Sequence, residues 1–124
     1  MSAVVDASVV LAWLQDEPGS NDAEAMLVDG VIGAANWSEV MQKGQQHGVA
    51  MELVARLLAS FGLRVADVTR RDGERAADLW GSGSGLSLGD RLCLALALRL
   101  DLPVGTTDRR WRDIAGAPRV ILVR

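Results

Sequence analysis

The sequence has 124 residues, 49% of them hydrophobic, a formal net charge of −3 and a single cysteine, Cys93. A chain of this length forms one domain, here predicted over 1–124, because its halves would be too small to bury a core. The lone cysteine excludes an intrachain disulfide, and no apolar run approaches the roughly 20 residues that span a bilayer.

The start of the chain carries no basic segment, and Asp6 interrupts its apolar run. We therefore expect no signal peptide. A cytoplasmic location is expected, since an isolated cysteine suits a reducing compartment.

In the first half of the chain, short apolar runs alternate with segments whose apolar residues have helical spacing. We predict, in order, a buried strand over 3–5, helices over 8–14 and from 20 to a stop at 29–30, a strand over 31–32, and helices from 36 to about 48 and over 50–61. Ser8 and Asn36 are the predicted N-caps of the first and third helices. Gly62 is predicted to end the fourth.

The second half continues the alternation. We predict a strand over 63–68, a helix from Thr69 to about 80, a Gly/Ser loop over 81–85, an apolar helix from Ser87 to about 101, a strand over 104–107, a short helix, and a last strand over 120–123. Asp72 is the predicted capping-box partner of Thr69. Strands that alternate with helices in this way indicate a parallel sheet covered on both faces.

Two acidic residues directly follow predicted strands. Asp6 comes after the first strand, and Asp108 comes after the strand over 104–107. Because ligands of parallel sheets bind beyond the carboxyl ends of the strands, these positions form a candidate site. Either Asp alone could instead cap the next helix, but two such carboxylates at one sheet edge would repel unless a cation lay between them.

Glu39 and Asp90 each permit two interpretations. Asn36-x-x-Glu39 and Ser87-x-x-Asp90 both have capping-box spacing, so either carboxylate could serve a helix N-terminus. Helices that leave parallel strands also begin at the sheet edge that carries Asp6. Their first turns could therefore bring both carboxylates into the candidate site, and the spacing leaves both interpretations open.

The available ligands indicate which metal such a site would bind. With one histidine, His47, and one cysteine, a zinc site of nitrogen and sulfur ligands cannot be built. His47 lies beside Gly48 at a predicted helix end, a position typical of a helix-end cation. Oxygen ligands indicate Mg²⁺ or Mn²⁺, which can activate water and stabilise charge on a phosphodiester, with one or two metals.

Four segments occur in the order found in VapC-type PIN-domain toxins and resemble them closely over essentially the whole chain. They are Val4-Val5-Asp6-Ala7-Ser8, Asn36-Trp37-Ser38-Glu39-Val40, Leu86-Ser87-Leu88-Gly89-Asp90-Arg91-Leu92-Cys93-Leu94-Ala95-Leu96-Ala97 and Thr106-Thr107-Asp108-Arg109-x-Trp111. The segment around Gly89-Asp90-Arg91-x-Cys93 is the most specific. Relatives often carry a basic stretch where this chain has the Gly/Ser loop over 81–85.

This resemblance implies a three-layer α/β/α sandwich, PIN-like, around a central parallel sheet of about five strands. It also implies a Mg²⁺-dependent endoribonuclease that acts as the toxin of a toxin–antitoxin system and is neutralised by a small cognate antitoxin. The implied acidic metal-site residues are Asp6, Glu39, Asp90 and Asp108, with Ser8 and Thr106 in supporting positions.

Further expectations concern RNA and protein contacts. Arg91 and Arg109 adjoin predicted metal ligands and are therefore expected near the scissile phosphate. Apolar helix faces in excess of one small core predict a homodimer. Trp13 is either a core residue or part of a surface pocket for the antitoxin, and an antitoxin arginine could enter the acidic site.

Two competing interpretations remain. A receiver or haloacid-dehalogenase type of phosphoryl-transfer domain also places an Asp after its first strand. It needs a lysine near a later strand end, whereas Lys43, the sole lysine, lies inside a predicted helix. The second alternative is a catalytically inactive PIN-like binding module, which nuclease activity would distinguish.

Overall fold

A computed structural model of the chain describes residues 2–123, so that Met1 and Arg124 of the predicted domain lie outside the described residues. Its strands are β1 (Val4–Val5), β2 (Val31–Gly33), β3 (Arg64–Ala66), β4 (Val104–Thr106) and β5 (Val120–Leu122). Its α-helices are α1 (Ala7–Leu14), α2 (Ser20–Leu27), α3 (Ala34–Gln46), α4 (Met51–Ser60), α5 (Arg70–Asp78) and α6 (Leu88–Leu100). A 3₁₀ helix covers Arg109–Asp113.

The strands form one parallel sheet in the order β3-β2-β1-β4-β5. Strand β1 is central, with Val5 paired to Ile32 of β2 and to Gly105 of β4. Because every strand runs the same way, all of their carboxyl ends meet at one edge. The predicted parallel sheet of about five strands is confirmed.

The core lies on both faces of this sheet, because successive strand residues point to opposite sides. Val5 and Ile32 pack with α1, α2, α3 and α4, whereas Val4 and Val31 pack with α6 and the buried Trp111. The predicted α/β/α layering is therefore confirmed. Within residues 2–123, no helix is long and apolar enough to cross a membrane.

Trp13 belongs to the first of these two core clusters. It is partly buried against the cluster and packs edge to face on Phe61, with ring centroids 5.7 Å apart. Of the two interpretations that the sequence left open, this contact favours core packing. The strongly exposed tryptophan is instead Trp80, with 63% of its surface accessible.

The predicted N-caps of α1 and α3 are both wrong. Helix α1 begins at Ala7, and its N-cap is Asp6, which accepts a hydrogen bond from the Val9 amide. Helix α3 follows β2 directly with Gly33 as its N-cap, so that Asn36 lies in the first turn. Because Asn36 is not the cap, Asn36-x-x-Glu39 is not a capping box.

The capping boxes of α5 and α6 are confirmed. The Thr69 hydroxyl accepts from the Asp72 amide while the Asp72 carboxylate accepts from the Thr69 amide, and Ser87 and Asp90 do the same. Each box satisfies backbone donors that a helix N-terminus otherwise leaves unpaired. Asp90 is therefore bound at the start of α6 whatever else it does.

Gly30, in the turn between α2 and β2, provides a test of this packing. A Cβ there would lie 2.6 Å from the carbonyl oxygen of Met26, and backbone cannot yield as a flexible side chain does. We expect Gly30→Ala to lower the free energy of unfolding in urea by about 1–3 kcal/mol. Gly73, inside α5 with no atom within 4 Å of an added Cβ, is the matched control. Gly73→Ala should raise that free energy by about 0.5–1 kcal/mol, and equal effects at both glycines would contradict the packing described.

Candidate active site

Asp6 lies at the centre of the carboxyl edge of the sheet, with only 6% of its surface exposed. One carboxylate oxygen accepts hydrogen bonds from the Ser8 hydroxyl at 2.5 Å and the Val9 amide at 3.3 Å. The other accepts from the Thr106 hydroxyl at 2.7 Å. Ser8 and Thr106, predicted as supporting residues, thus both hold the Asp6 carboxylate in place.

The same two hydroxyls join the end of β1 to the end of β4. The Thr107 amide donates to Ser8 Oγ at 3.0 Å, and the Asp108 amide donates to Thr106 Oγ1 at 3.1 Å. Each hydroxyl therefore donates to Asp6 and accepts from the backbone that follows β4. This network fixes the path of the backbone after β1 and after β4.

Glu39 reaches the site from the second turn of α3. The Asn36 amide group donates to Glu39 Oε1 at 3.1 Å and to the Gly89 carbonyl at 3.2 Å. A Cβ on Gly89 would lie 2.5 Å from Glu39 Oε1, so a larger residue there would push this carboxylate away from its position beside the first turn of α6. Asn36 was predicted only as a cap, and its bridging position between α3 and α6 was missed.

Only one of the two carboxylate oxygens of Asp90 takes part in the capping box. Oδ2 accepts from the Ser87 amide at 3.0 Å, whereas Oδ1 has no hydrogen bond among the residues that the structure describes. The residue is half-buried at the start of α6. Capping and ligation are thus compatible at Asp90, since each would use a different oxygen.

Besides burial, the negative charge of Asp90 helps to raise the pKa values of both Asp6 and Glu39, so these three carboxylates interact electrostatically. Burial raises the pKa of Asp6 to about 6 against the opposing hydrogen bonds of Ser8, Thr106 and Val9, and the negative charge of Asp90 adds to the rise. Burial likewise raises the pKa of Glu39, opposed by Asn36 and reinforced by Asp90. Burial raises the pKa of the Cys93 thiol as well, and all three carboxylates add to it. Carboxylates in this arrangement favour an added positive charge.

Asp108 was predicted to join this cluster, but its carboxylate is already paired. Arg110 donates to its oxygens from Nε at 3.0 and 3.2 Å and from Nη2 at 2.7 Å. The hydrogen bonds and charge of Arg110 hold the pKa of Asp108 below its ordinary value. Asp108 therefore lies at the sheet edge as predicted without needing a metal to balance its charge, and Arg110 was missed.

Neither Arg91 nor Arg109 forms a hydrogen bond or ion pair with the predicted carboxylates among the described residues. Arg91 donates from Nη1 to the Ala76 carbonyl at 2.8 Å, and its Nε is buried without a partner among the described residues, so it ties α6 to α5. Arg109 is exposed. The arginine that contacts a predicted site residue is Arg110, since the 3₁₀ turn after Asp108 brings the residue two positions later onto its carboxylate.

Two open grooves include residues that hydrogen-bond to the predicted carboxylates, but the carboxylates themselves line neither groove. One, of about 630 Å³, is lined by Ser8 and Thr107 and also by Lys43 and His47. His47 is the C-cap of α3, as the helix-end interpretation predicts. The other groove, of about 570 Å³, extends from Arg110 to Trp80.

The donor set fits a hydrated Mg²⁺ or Mn²⁺ ion rather than a metal enclosed by protein ligands. Within residues 2–123, no three His, Cys, Asp or Glu side chains are gathered closely enough to hold a metal by themselves. Mg²⁺ usually keeps several waters and binds proteins through one or two carboxylates, which Asp6 and the free oxygen of Asp90 can supply. The buried Oδ1 of Asn36, unpaired among the described residues, is a further oxygen acceptor at this site.

Comparisons with known proteins place this geometry in a family context. A family model of the PIN domain matches residues 3–117. Comparison with curated proteins gives no match.

Solved structures share the fold at low sequence identity. A toxin–antitoxin complex from Klebsiella pneumoniae is similar with a TM-score of 0.74 and 24% identity, over 96% of this chain and 95% of that one. VapBC2 from Rickettsia felis, bound to a promoter DNA fragment, is similar with a TM-score of 0.72 and 16% identity over 100% of both chains. DNA-bound VapBC from Salmonella typhimurium has a TM-score of 0.72 and 15% identity, over 98% of this chain and 97% of that one.

Burial of the Asp6 carboxylate predicts a distinctive dependence of stability on pH. Its folded pKa of about 6 lies above the ordinary 3.8, so between these values the folded chain keeps a proton that the unfolded chain has lost. The contribution of Asp6 to the free energy of unfolding is therefore greatest below the lower value and falls as pH rises to the upper one. In EDTA, the stability of Asp6→Asn relative to the wild type should rise over this interval by up to about 3 kcal/mol.

The measurement is urea unfolding at a series of pH values, with Asp101→Asn as the control. Asp101 is exposed and has φ of 54°, a conformation that asparagine also tolerates. The control should follow the wild-type profile. Parallel profiles for Asp6→Asn and the wild type would show that the Asp6 carboxylate is not desolvated.

Proposed function

Since the chain belongs to the PIN-domain family, we propose that it is a divalent-cation-dependent endoribonuclease and the toxin of a toxin–antitoxin pair. The observation that carries the nuclease proposal is the buried Asp6 carboxylate beside Asp90 and Glu39, a cluster of negative charge at the carboxyl edge of a parallel sheet. The family match argues against the competing interpretation, in which the chain is a phosphoryl-transfer domain with an aspartate nucleophile.

The proposal assigns a role to each side chain. Asp6 and the free oxygen of Asp90 would hold the cation, and Glu39 would orient or deprotonate a water beside it. The cation, Mg²⁺ or Mn²⁺, would supply activation of that water and stabilisation of charge on the phosphodiester. Ser8 and Thr106 act through Asp6, because their hydroxyls fix the direction of its carboxylate.

Asp108 and the arginines have more distant roles in this proposal. Asp108 anchors Arg110 at the rim of the site, where a guanidinium suits the geometry of a phosphate. Arg109, exposed next to it, is a second candidate for RNA contact. The bond from Arg91 to Ala76 favours a role for Arg91 in helix packing over the predicted role in RNA binding.

The first test separates metal ligation from helix capping. We expect the wild type to cleave single-stranded RNA with Mg²⁺ or Mn²⁺ and to be silent in EDTA, and Asp6→Asn and Asp90→Asn to lose cleavage by at least roughly a hundredfold. Loss of a cap alone should cost about 1 kcal/mol of stability with turnover retained. Thr69→Ala removes the cap hydroxyl from the capping box of α5, which lies outside the carboxylate site, and should leave cleavage intact.

A readout besides activity completes this test. Mn²⁺ should raise the thermal unfolding midpoint of the wild type, because a ligand of the folded state stabilises it, and should leave that of Asp6→Asn unchanged. Cleavage that persists in chelator would overturn the metal dependence. A chain that binds metal without cleaving RNA would be the inactive PIN-like binding module.

The toxin part of the proposal concerns partners. The similar structures named above are toxin–antitoxin complexes, and the exposed apolar side chains Leu53, Leu57, Val65 and Val68 offer surface for an antitoxin or for the proposed homodimer. An antitoxin arginine in the acidic site would compete with the cation for Asp6 and Asp90. Such competition would silence the nuclease while the pair is intact.

The product of the adjacent small reading frame is the expected antitoxin. Co-expression should yield a co-purifying complex without nuclease activity, and proteolysis of the small partner should restore metal-dependent cleavage. If the partner neither co-purifies nor inhibits, the toxin assignment fails while the nuclease assignment stands.

A further inference from the structure

A pocket of about 210 Å³ lies between α5 and α6 and shares no lining residue with the carboxylate cluster. Its lining residues are Arg71, Asp72, Arg75, Ala95, Leu98 and Arg99. Three guanidinium groups therefore face one carboxylate in a chain whose net charge is −3. Such a local excess of arginine is unexpected for a surface that only needs to be soluble.

One of the three guanidinium groups is held in a fixed position. Arg99 donates from Nε to Asp72 Oδ1 at 2.8 Å and from Nη2 to Asp72 Oδ2 at 3.1 Å. Asp72 is only 3% exposed and also accepts from the Thr69 amide, so it cannot swing away. This bidentate pairing satisfies the carboxylate and leaves Nη1 of Arg99 without a hydrogen bond among the described residues.

The other two arginines have no such partner. Arg71 and Arg75 lie one turn apart on α5, and neither forms an ion pair within residues 2–123, whereas Arg70 on the same helix pairs with Glu74. Like charges four residues apart repel each other on a helix surface. A bound anion would turn this repulsion into attraction.

The pocket is connected to the candidate active site along one helix pair. Arg99 follows Asp90 by nine residues of α6, which places it about 14 Å further along the helix axis at 1.5 Å per residue. Arg91 bonds α6 to Ala76 of α5 between these two positions. Nine residues at about 100° each also turn Arg99 to the opposite side of α6 from Asp90, so a polymer must be long enough to bend around the helix in order to occupy both places.

We propose that this arginine pocket binds a backbone phosphate of the RNA strand several nucleotides from the scissile bond. The proposal rests on the proposed ribonuclease function. Guanidinium groups match phosphate oxygens with paired N–H donors, and the fixed Arg99 reduces the loss of side-chain freedom on binding. A phosphate anchor here would favour RNA that extends beyond the cleavage site.

The test measures binding separately from cleavage, in the Asp6→Asn background. Fluorescence anisotropy should show that Arg71→Gln with Arg75→Gln weakens binding of poly-uridine about tenfold. The slope of log affinity against log salt should shrink by about 1.4, from two lost contacts at about 0.7 each on a single strand. Binding of a uridine trinucleotide should change less than twofold, because it cannot reach the pocket from the cleavage site.

The matched control removes two arginines elsewhere. Arg56 on α4 and Arg64 on β3 are exposed and do not line the pocket, so the Arg56→Gln, Arg64→Gln double variant carries the same net charge. It should keep the affinity for poly-uridine and most of the salt slope. Equal losses in both double variants would show a general charge effect and overturn the pocket.

Three further outcomes are decisive. If poly-glutamate binds as tightly as poly-uridine and loses affinity in the same variant, the pocket serves an acidic protein segment and the RNA proposal is wrong. If the wild type fails to cleave RNA while the pocket variant still loses poly-uridine affinity, the nuclease assignment falls and the pocket stands. Metal-dependent cleavage with an unchanged salt slope would mean the opposite, with the nuclease assignment retained and the phosphate pocket overturned.

Discussion

The carboxylate of Asp6 is buried at the end of the central strand, and the arrangement of the surrounding chain follows from that burial. A desolvated carboxylate is costly unless donors surround it. Parallel pairing of β1 with β4 brings Thr106 alongside, and the start of α1 supplies Ser8 and the Val9 amide. These donors reduce the cost without removing it, because burial still dominates and the pKa of Asp6 remains at about 6. The site therefore retains unbalanced negative charge, which an external cation can neutralise.

The rest of the fold compensates for this local destabilisation. Val4 and Val5 are fully buried on opposite faces of the sheet, which fixes β1 from both sides. The capping box of α6 holds Asp90 at the start of that helix. A carboxylate that also caps a helix cannot retreat from its like-charged neighbours. The fold can thus hold negative charges together because helix capping and core packing fix the backbone that carries them.

The order of elements and the edge of the sheet could be predicted from sequence, because they depend on periodicity and on strand ends. The helix starts were less predictable. Asp6 and Ser8 are both good N-caps, and spacing alone does not tell which of them caps α1 and which donates to the other. The partners of the arginines could not be predicted either. Arg99 pairs with Asp72 across 27 positions, and Arg110 folds back on Asp108 only because a 3₁₀ turn follows β4.

The charge balance of the site bears on how many metals it would hold. Of the four acidic residues that the sequence brought forward, Asp108 is already neutralised by Arg110, which leaves Asp6, Glu39 and Asp90. One divalent cation with its waters would offset most of that remaining charge. A second would need the carboxylate of Asp108, and so would first have to displace a guanidinium held by bonds as short as 2.7 Å. Because the Arg110 side chain is 65% exposed, water screens this ion pair, and whether Arg110 stays on Asp108 decides whether that carboxylate is free for a cation. Release of Arg110 toward a phosphate would free Asp108, so the arrival of substrate is the event that could admit a second.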